Sequence, residues 1–181
     1  MEVIATDLPG VLRLRPRIFA DDRGWFAETW NQDAFRAAGL PAHFVQDNQS
    51  RSRKNVLRGL HFQLQHPQGK LVRAVAGRIF DVAVDIRKSS SHFGRWVAVE
   101  LSAEVPEILW IPPGFAHGFL VLSDSADVLY KTTDFYHSAA ERTIRWNDPS
   151  IGIVWPLTGE PIISAKDAVG TSLDQTELPT S

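Results

Sequence analysis

Residues 79–86, Ile-Phe-Asp-Val-Ala-Val-Asp-Ile, place Phe80, Val82, Val84 and Ile86 on one face of an extended strand and Ile79, Asp81, Ala83 and Asp85 on the other. The period of two holds from Phe44 onward. Trp96–Leu101, Glu107–Ile111, Gly118–Leu122 and Asp127–Thr133 read as further short strands, separated by clusters of Gly, Pro, Ser and Asp. Residues 1–19 alternate weakly and give one or two strands interrupted by Pro9-Gly10 and Pro16. A turn at Asp21–Gly24 leads into Trp25–Thr29. One short surface helix is predicted, about Gln32 to Ala38, with Asn31 as N-cap and Gly39 closing it before Pro41. Many short strands with so little helix predict an all-β fold, a jelly-roll β-sandwich or barrel with a few short peripheral helices.

The chain of 181 residues shows no composition break, repeat or low-complexity segment, so residues 1–181 are read as a single domain large enough to bury its own core. From about Gly170 the sequence turns polar, and residues 170–181 are expected to form a loose tail. A net charge of −2 argues against a general nucleic-acid or membrane-surface binder. The absence of cysteine excludes disulfides and thiolate metal sites. No apolar run is long enough for a membrane span or a signal core, which makes the cytoplasm the default location.

Two stretches concentrate the chemistry. Val56–Gly77 reads as paired strands around the turn His66-Pro67-Gln68-Gly69, and it carries Arg58, His61 and Lys70. Strict alternation puts Arg58 and His61 on opposite faces, which a bulge at Gly59, or Arg58 at a sheet edge, would reconcile. Taken alone, the stretch is an edge hairpin with basic residues in water. Ile111–Gly118 is the second stretch; two prolines and Gly114 set a turn that delivers His117 into the following strand. Its P-x-G-x-x-H pattern resembles the second cupin motif. The first cupin motif calls for H-x-H and a glutamate, whereas here the run is His61-Phe62-Gln63 and Pro67, Gln68 and Lys70 stand near where the glutamate belongs. Glutamine ligates weakly, and an incomplete ligand set beside a lysine argues against a metal. What is left is acid–base and anion-binding chemistry. His61 has an ordinary pKa of ~6.5, suited to proton transfer near neutrality, and the Lys70 ammonium is suited to a developing oxyanion. Tyr130, mid-strand in Val128–Thr132, is either a proton donor or an interior tyrosine.

Together with DDRGWFAETW, FVQDNQSRSRKNVLRGLHFQ, PQGKLVRAVAGRIFDVAVDIRKSSSHFGRW, WIPPGFAHGF, VLYKTTDFY and ISAKD, these motifs run in order from about Ile18 to Asp167. In that order and spacing the chain resembles the dTDP-4-dehydrorhamnose 3,5-epimerases, metal-free cupins of bacterial nucleotide-sugar biosynthesis. The resemblance implies a cupin-type jelly roll, an epimerase acting at C3 and C5 of a dTDP-4-keto-6-deoxyhexose, no cofactor and no metal. It implies His61 as general base with Asp167 as its orienting carboxylate, Tyr130 as general acid on the opposite face of the sugar, and Lys70 as stabiliser of the enolate oxygen. Arg23, Phe26, Glu28, Gln46, Asn48, Arg58 and His117 match positions that hold the nucleotide diphosphate sugar, and Tyr136 an aromatic against the nucleotide. Arg23, Phe26 and Glu28 reach a neighbouring subunit's pocket in this family, which implies a homodimer.

The family often follows the final motif with a proline and leucines, whereas here Asp167 is followed by Ala-Val-Gly-Thr-Ser-Leu. Three other activities share parts of the pattern: a mono-epimerase inverting C3 or C5 alone, a metal-dependent cupin, and a non-catalytic nucleotide-sugar-binding cupin. His43, His66, His92 and His137 fall in loop-like or strand-end contexts and read as solvated or capping. Arg51-Ser52-Arg53-Lys54 reads as a short basic loop.

Overall fold

The computed structural model describes residues 1–179. Its strands are β1 (Glu2–Ala5), β2 (Leu12–Arg15), β3 (Ile18–Asp21), β4 (Gly24–Ala27), β5 (Gln46–Arg53), β6 (Leu57–Gln63), β7 (Lys70–Ala76), β8 (Arg78–Asp85), β9 (Trp96–Ser102), β10 (Ile108–Ile111), β11 (Phe115–Val121), β12 (Ser125–Thr132) and β13 (Glu141–Thr143). Two short α-helices, α1 (Gln32–Ala37) and α2 (Ala165–Ala168), and one 3-10 turn at Ser138–Ala140 complete the described elements. The strands form a six-stranded sheet, β1-β2-β10-β7-β12-β5, and a five-stranded sheet, β13-β6-β11-β8-β9, with β3 and β4 as a separate hairpin. Ladder pairings within the two sheets are antiparallel. The result is the expected jelly-roll sandwich.

Three apolar layers hold it together. Between the sheets lie Val72, Ala74, Ile79, Ala83, Phe119 and Val128, among others. The far face of the five-stranded sheet, with Leu57, Val82, Val84, Ile86 and Leu120, is covered by Ile151, Trp155, Leu173 and Leu178 from the C-terminal segment. The far face of the six-stranded sheet packs Leu14, Leu71 and Trp110 against Phe35 and Leu40. The alternation in β8 therefore separates two buried faces, one in the central layer and one in the outer layer. Helix α1 starts at Asn31, whose side chain accepts from the backbone N–H groups of Asp33 and Ala34, a cap worth about 1 kcal/mol. Gly39 follows its end at φ +70°, and the helix anchors through Phe35, which is fully buried.

Three expectations need correction. The polar segment from Gly170 is not a loose tail over its described residues. Leu173 and Leu178 are buried, Thr171 N–H donates to the Thr143 carbonyl, and Leu173 N–H donates to buried Asp148. Two leucines at the right spacing outweigh the polar residues between them, each contributing about 2 kcal/mol by burial; residues 180 and 181 lie outside the described residues. Val56–Gly77 is not a hairpin: β6 belongs to the five-stranded sheet and β7 to the six-stranded one. The His66–Gly69 turn carries the chain from one wall of the sandwich to the other. Residues 51–53 are the end of β5 rather than a loop, with Ser52 buried and Arg51 paired to Asp127 at 2.6 Å.

Candidate active site

A cleft of about 350 Å³ opens between the two sheets, within the usual range for small-molecule sites. The crossing at His66–Gly69 explains its composition, because it puts the polar residues of β6 and β7 on facing walls. The five-stranded wall supplies Arg58, His61 and His117; the six-stranded wall supplies Gln46, Asn48, Lys70 and Tyr130; Tyr136 comes from the loop after β12.

His61 and Arg58 share the cleft through the bulge considered above. In the ladder between β6 and β11, His117 pairs with His61 and Phe119 with Arg58, so Gly59 and Leu60 stand opposite the single residue Gly118. The extra residue resets the alternation. Gly59 has φ +116°, and a Cβ there would lie 2.5 Å from the Gly118 Cα. A Cβ on Gly118 would lie 2.7 Å from the Arg58 carbonyl. The two glycines let the backbones touch at the one place where the register changes.

Each cleft histidine is tied to a buried carboxylate. His61 Nε2 lies 2.5 Å from Asp167 Oδ1, and Asp167 is held at the start of α2, where its N–H donates to Ser164 Oγ. Burial would raise the pKa of Asp167, but the His61 hydrogen bond and charge outweigh it and lower it. A carboxylate only accepts, so Nε2 carries the proton and Nδ1 is the basic nitrogen of His61. Burial lowers the pKa of His61 against the pull of Asp167, which favours the neutral ring. His117 Nε2 lies 2.7 Å from Asp81 Oδ1, with Asp81 fully buried on the central face of β8.

Lys70 is buried on the opposite wall and donates to the His61 carbonyl at 3.3 Å. Burial pushes its pKa down to about 8, with Asp81 and Glu141 holding it up. The ammonium is therefore the main form at pH 7 and deprotonates readily above pH 8. Tyr130, half-buried, has its phenol pKa raised by burial, which Arg58 partly offsets. It stays protonated at neutral pH.

The residue in the place of the cupin's second histidine is fully engaged elsewhere. Gln63 donates through Nε2 to the carbonyls of His66 and Phe135 at 2.7 and 3.1 Å, and its Oε1 accepts from His137 N–H at 2.6 Å. It braces the two loops at the cleft mouth, and its oxygen is already used. His66, Asp134 and His137 bring ligand atoms within 4.8 Å of one another at the surface. The two rings stack, however, at 23° and 4.2 Å, so their in-plane lone pairs run side by side rather than toward one centre.

Glu141 and Lys166 line the cleft and were not singled out in the sequence. Lys166 Nζ pairs with Glu141 Oε1 at 2.7 Å, and the Tyr136 hydroxyl donates to Glu141 Oε2 at 2.9 Å. The only signal for Lys166 was its place beside Asp167; Glu141 had none. Arg23, Phe26 and Glu28 do not join this cleft. Arg23 tips the β3–β4 hairpin with its side chain 90% exposed and pairs with Asp21, Phe26 is 67% exposed, and Glu28 accepts from Asn31.

A jelly roll whose cleft faces an imidazole on one wall with a phenol and a buried ammonium on the other defines a cupin-type fold equipped for acid–base chemistry. Comparison with known proteins makes it specific. Residues 5–175 match the family described as dTDP-4-dehydrorhamnose 3,5-epimerase, and the chain belongs to that family of isomerases. It is 56% identical over 180 residues to the dTDP-4-dehydrorhamnose 3,5-epimerase of Salmonella typhimurium, covering 98% of each chain. A crystal structure of the dTDP-6-deoxy-D-glucose-3,5-epimerase from Legionella pneumophila in complex with dTDP-4-keto-L-rhamnose superposes with a TM-score of 0.96 at 47% identity, covering 99% of this chain and 98% of the other. A 3′-monoepimerase from Streptomyces bikiniensis in complex with dTDP-quinovose gives 0.92 at 33% identity, covering 98% and 92%.

Proposed function

We propose that the chain inverts C3 and C5 of a dTDP-4-keto-6-deoxyhexose, converting dTDP-4-dehydro-6-deoxy-D-glucose to dTDP-4-dehydro-L-rhamnose. The observation that carries the mechanism is the placement of His61 and Tyr130 on opposite walls of one cleft. C3 and C5 both flank the C4 carbonyl, so their protons are the acidic ones. His61 takes such a proton on Nδ1 while Asp167 stabilises the imidazolium that forms. The charge moves to O4, where the Lys70 ammonium stabilises it; an interaction that strengthens as charge develops lowers the barrier most. Tyr130 returns a proton from the other face, which inverts the centre. Each inversion leaves an imidazolium and a phenolate, which proton exchange with solvent returns to imidazole and phenol before the second centre reacts; no electron is transferred.

Binding falls to Arg58, Gln46, Asn48, His117 and Tyr136. Arg58, for which no carboxylate partner appears among the described residues, takes the diphosphate. The β3–β4 hairpin carries exposed Ile18, Phe19, Trp25 and Phe26 around Arg23 and is paired with neither sheet. An apolar arm of this kind fits a homodimer in which Arg23, Phe26 and Glu28 complete the neighbouring subunit's cleft. The cytoplasmic location expected from the sequence belongs to this reading. Turnover of dTDP-4-keto-6-deoxy-D-glucose followed by NMR tests it: the L-lyxo product is expected, and unchanged substrate would contradict it.

A further inference from the structure

The inner face of β5 is polar along its whole length: Gln46, Asn48, Ser50 and Ser52 alternate with outward-facing residues. A central-layer face would ordinarily be apolar, so each of these side chains needs a partner. Gln46 donates to Asn48 at 2.8 Å and accepts from the Tyr136 N–H. Ser52 accepts from Arg58 Nε at 3.1 Å. Ser50 differs: its Oγ is buried and has no hydrogen-bond partner among the described residues, yet the residue lines the cleft. Its neighbours across the ladder are Val128 and, beyond it, Ala74, which offer no polar side chain.

Arg58 stands at the same end of the cleft. Because Ser52 holds its Nε, the terminal nitrogens of the guanidinium are left for a ligand, and a forked cation of that kind matches phosphate oxygens. Ser50 lies two residues from Ser52 on the same face, on the side toward Tyr130. A buried hydroxyl costs free energy until it is hydrogen-bonded, and an anion oxygen is its strongest acceptor.

Resting on the nucleotide-sugar reading above, we propose that the Ser50 hydroxyl is the second donor of the anion cradle built on Arg58 and hydrogen-bonds a diphosphate oxygen of the bound substrate. Ser50 is thus a substrate-binding residue for which the sequence carried no signal.

Calorimetric titration of the full chain with dTDP and with thymidine, alongside melting of the free protein, tests this. Ser50→Ala is expected to weaken dTDP binding about tenfold or more, to leave thymidine binding unchanged, and to leave the free protein's Tm unchanged or raised. Ser50→Thr, which keeps the hydroxyl, is expected to retain most of the dTDP affinity. Unaltered dTDP affinity in Ser50→Ala would overturn the proposal. So would an equal loss for thymidine, or a lowered Tm, since either indicates packing rather than phosphate contact. A wild-type chain that binds no dTDP would overturn the nucleotide-sugar reading along with it, which separates the two failures.

Discussion

Arg58 and His61 sit three residues apart on one strand and line the same cleft, because Gly59 and Leu60 together oppose Gly118. In a regular strand that spacing would send one of them into the outer apolar layer. The register change is thus what brings a guanidinium and an imidazole into one cleft, and Gly59 is what permits it.

Gly59→Ala should therefore cost both stability and activity. A side chain at φ +116° is strained by about 1–2 kcal/mol, and its Cβ would meet the Gly118 backbone at 2.5 Å. Overpacking adds about 1–3 kcal/mol. Thermal melting should show Tm lowered by about 5 °C or more, with turnover reduced in the fraction that remains folded. A wild-type melt with wild-type turnover would mean that the bulge does not depend on this glycine.

His61→Asn removes the base while keeping a polar side chain of similar size. Turnover should fall by about 10³-fold or more, with dTDP affinity within a few-fold of wild type. Steady-state kinetics and calorimetry measure the two separately. Retained turnover would remove His61 from the mechanism.

Tyr130→Phe keeps the ring and deletes the proton donor. The rate should drop by about 10²–10⁴-fold with little change in binding, because the role proposed for Tyr130 is reprotonation. Full rate with the same product would require another acid.

The pH profile follows from two groups that burial shifts in the same direction. His61 must be neutral to accept a proton, and its pKa is lowered, so the acid limb should fall below the ordinary histidine value. Lys70 must be charged, and its pKa is down to about 8. Activity should thus rise through the acid limb, hold near neutrality, and decline as pH passes about 8. Lysine at its ordinary ~10.4 would keep the alkaline limb flat to pH 9, and a flat limb would contradict the lowering of the Lys70 pKa by burial. Exhaustive chelation should leave the profile unchanged, since the oxygen of Gln63 is engaged by the His137 N–H.

The strands and the short helix were readable because their signals are local: a period of two, Asn31 before α1 and Gly39 after it. The two-wall site was harder. His61, Lys70, His117 and Tyr130 stood out by residue type and motif, but nothing local says that β6 and β7 part company at His66–Gly69 and face each other. Gly59 could be suspected from the conflict between Arg58 and His61; its opposite number, Gly118, is 59 positions away. Glu141 and Lys166 are ordinary surface residues until the chain folds them together. Leu173 and Leu178 show the reverse failure, two apolar residues hidden in a polar segment that tertiary packing recruits. Arg23, Phe26 and Glu28 sit on or beside an exposed hairpin apart from the cleft, and the role proposed for them needs a neighbouring subunit.

That arm gives its own prediction. If the hairpin serves a neighbour's cleft, Arg23→Ala and His61→Asn should each be inactive alone and regain activity when refolded together, since one cleft of the mixed dimer is then intact. Absence of any recovery, with a mixed dimer verified by mass spectrometry, would contradict the shared cleft.

The most direct test of the central claim is turnover of dTDP-4-keto-6-deoxy-D-glucose in heavy water, with label and configuration read by NMR. The account predicts deuterium at both C3 and C5 of an L-lyxo product. Label at one carbon alone, or inversion without label from solvent, would contradict it.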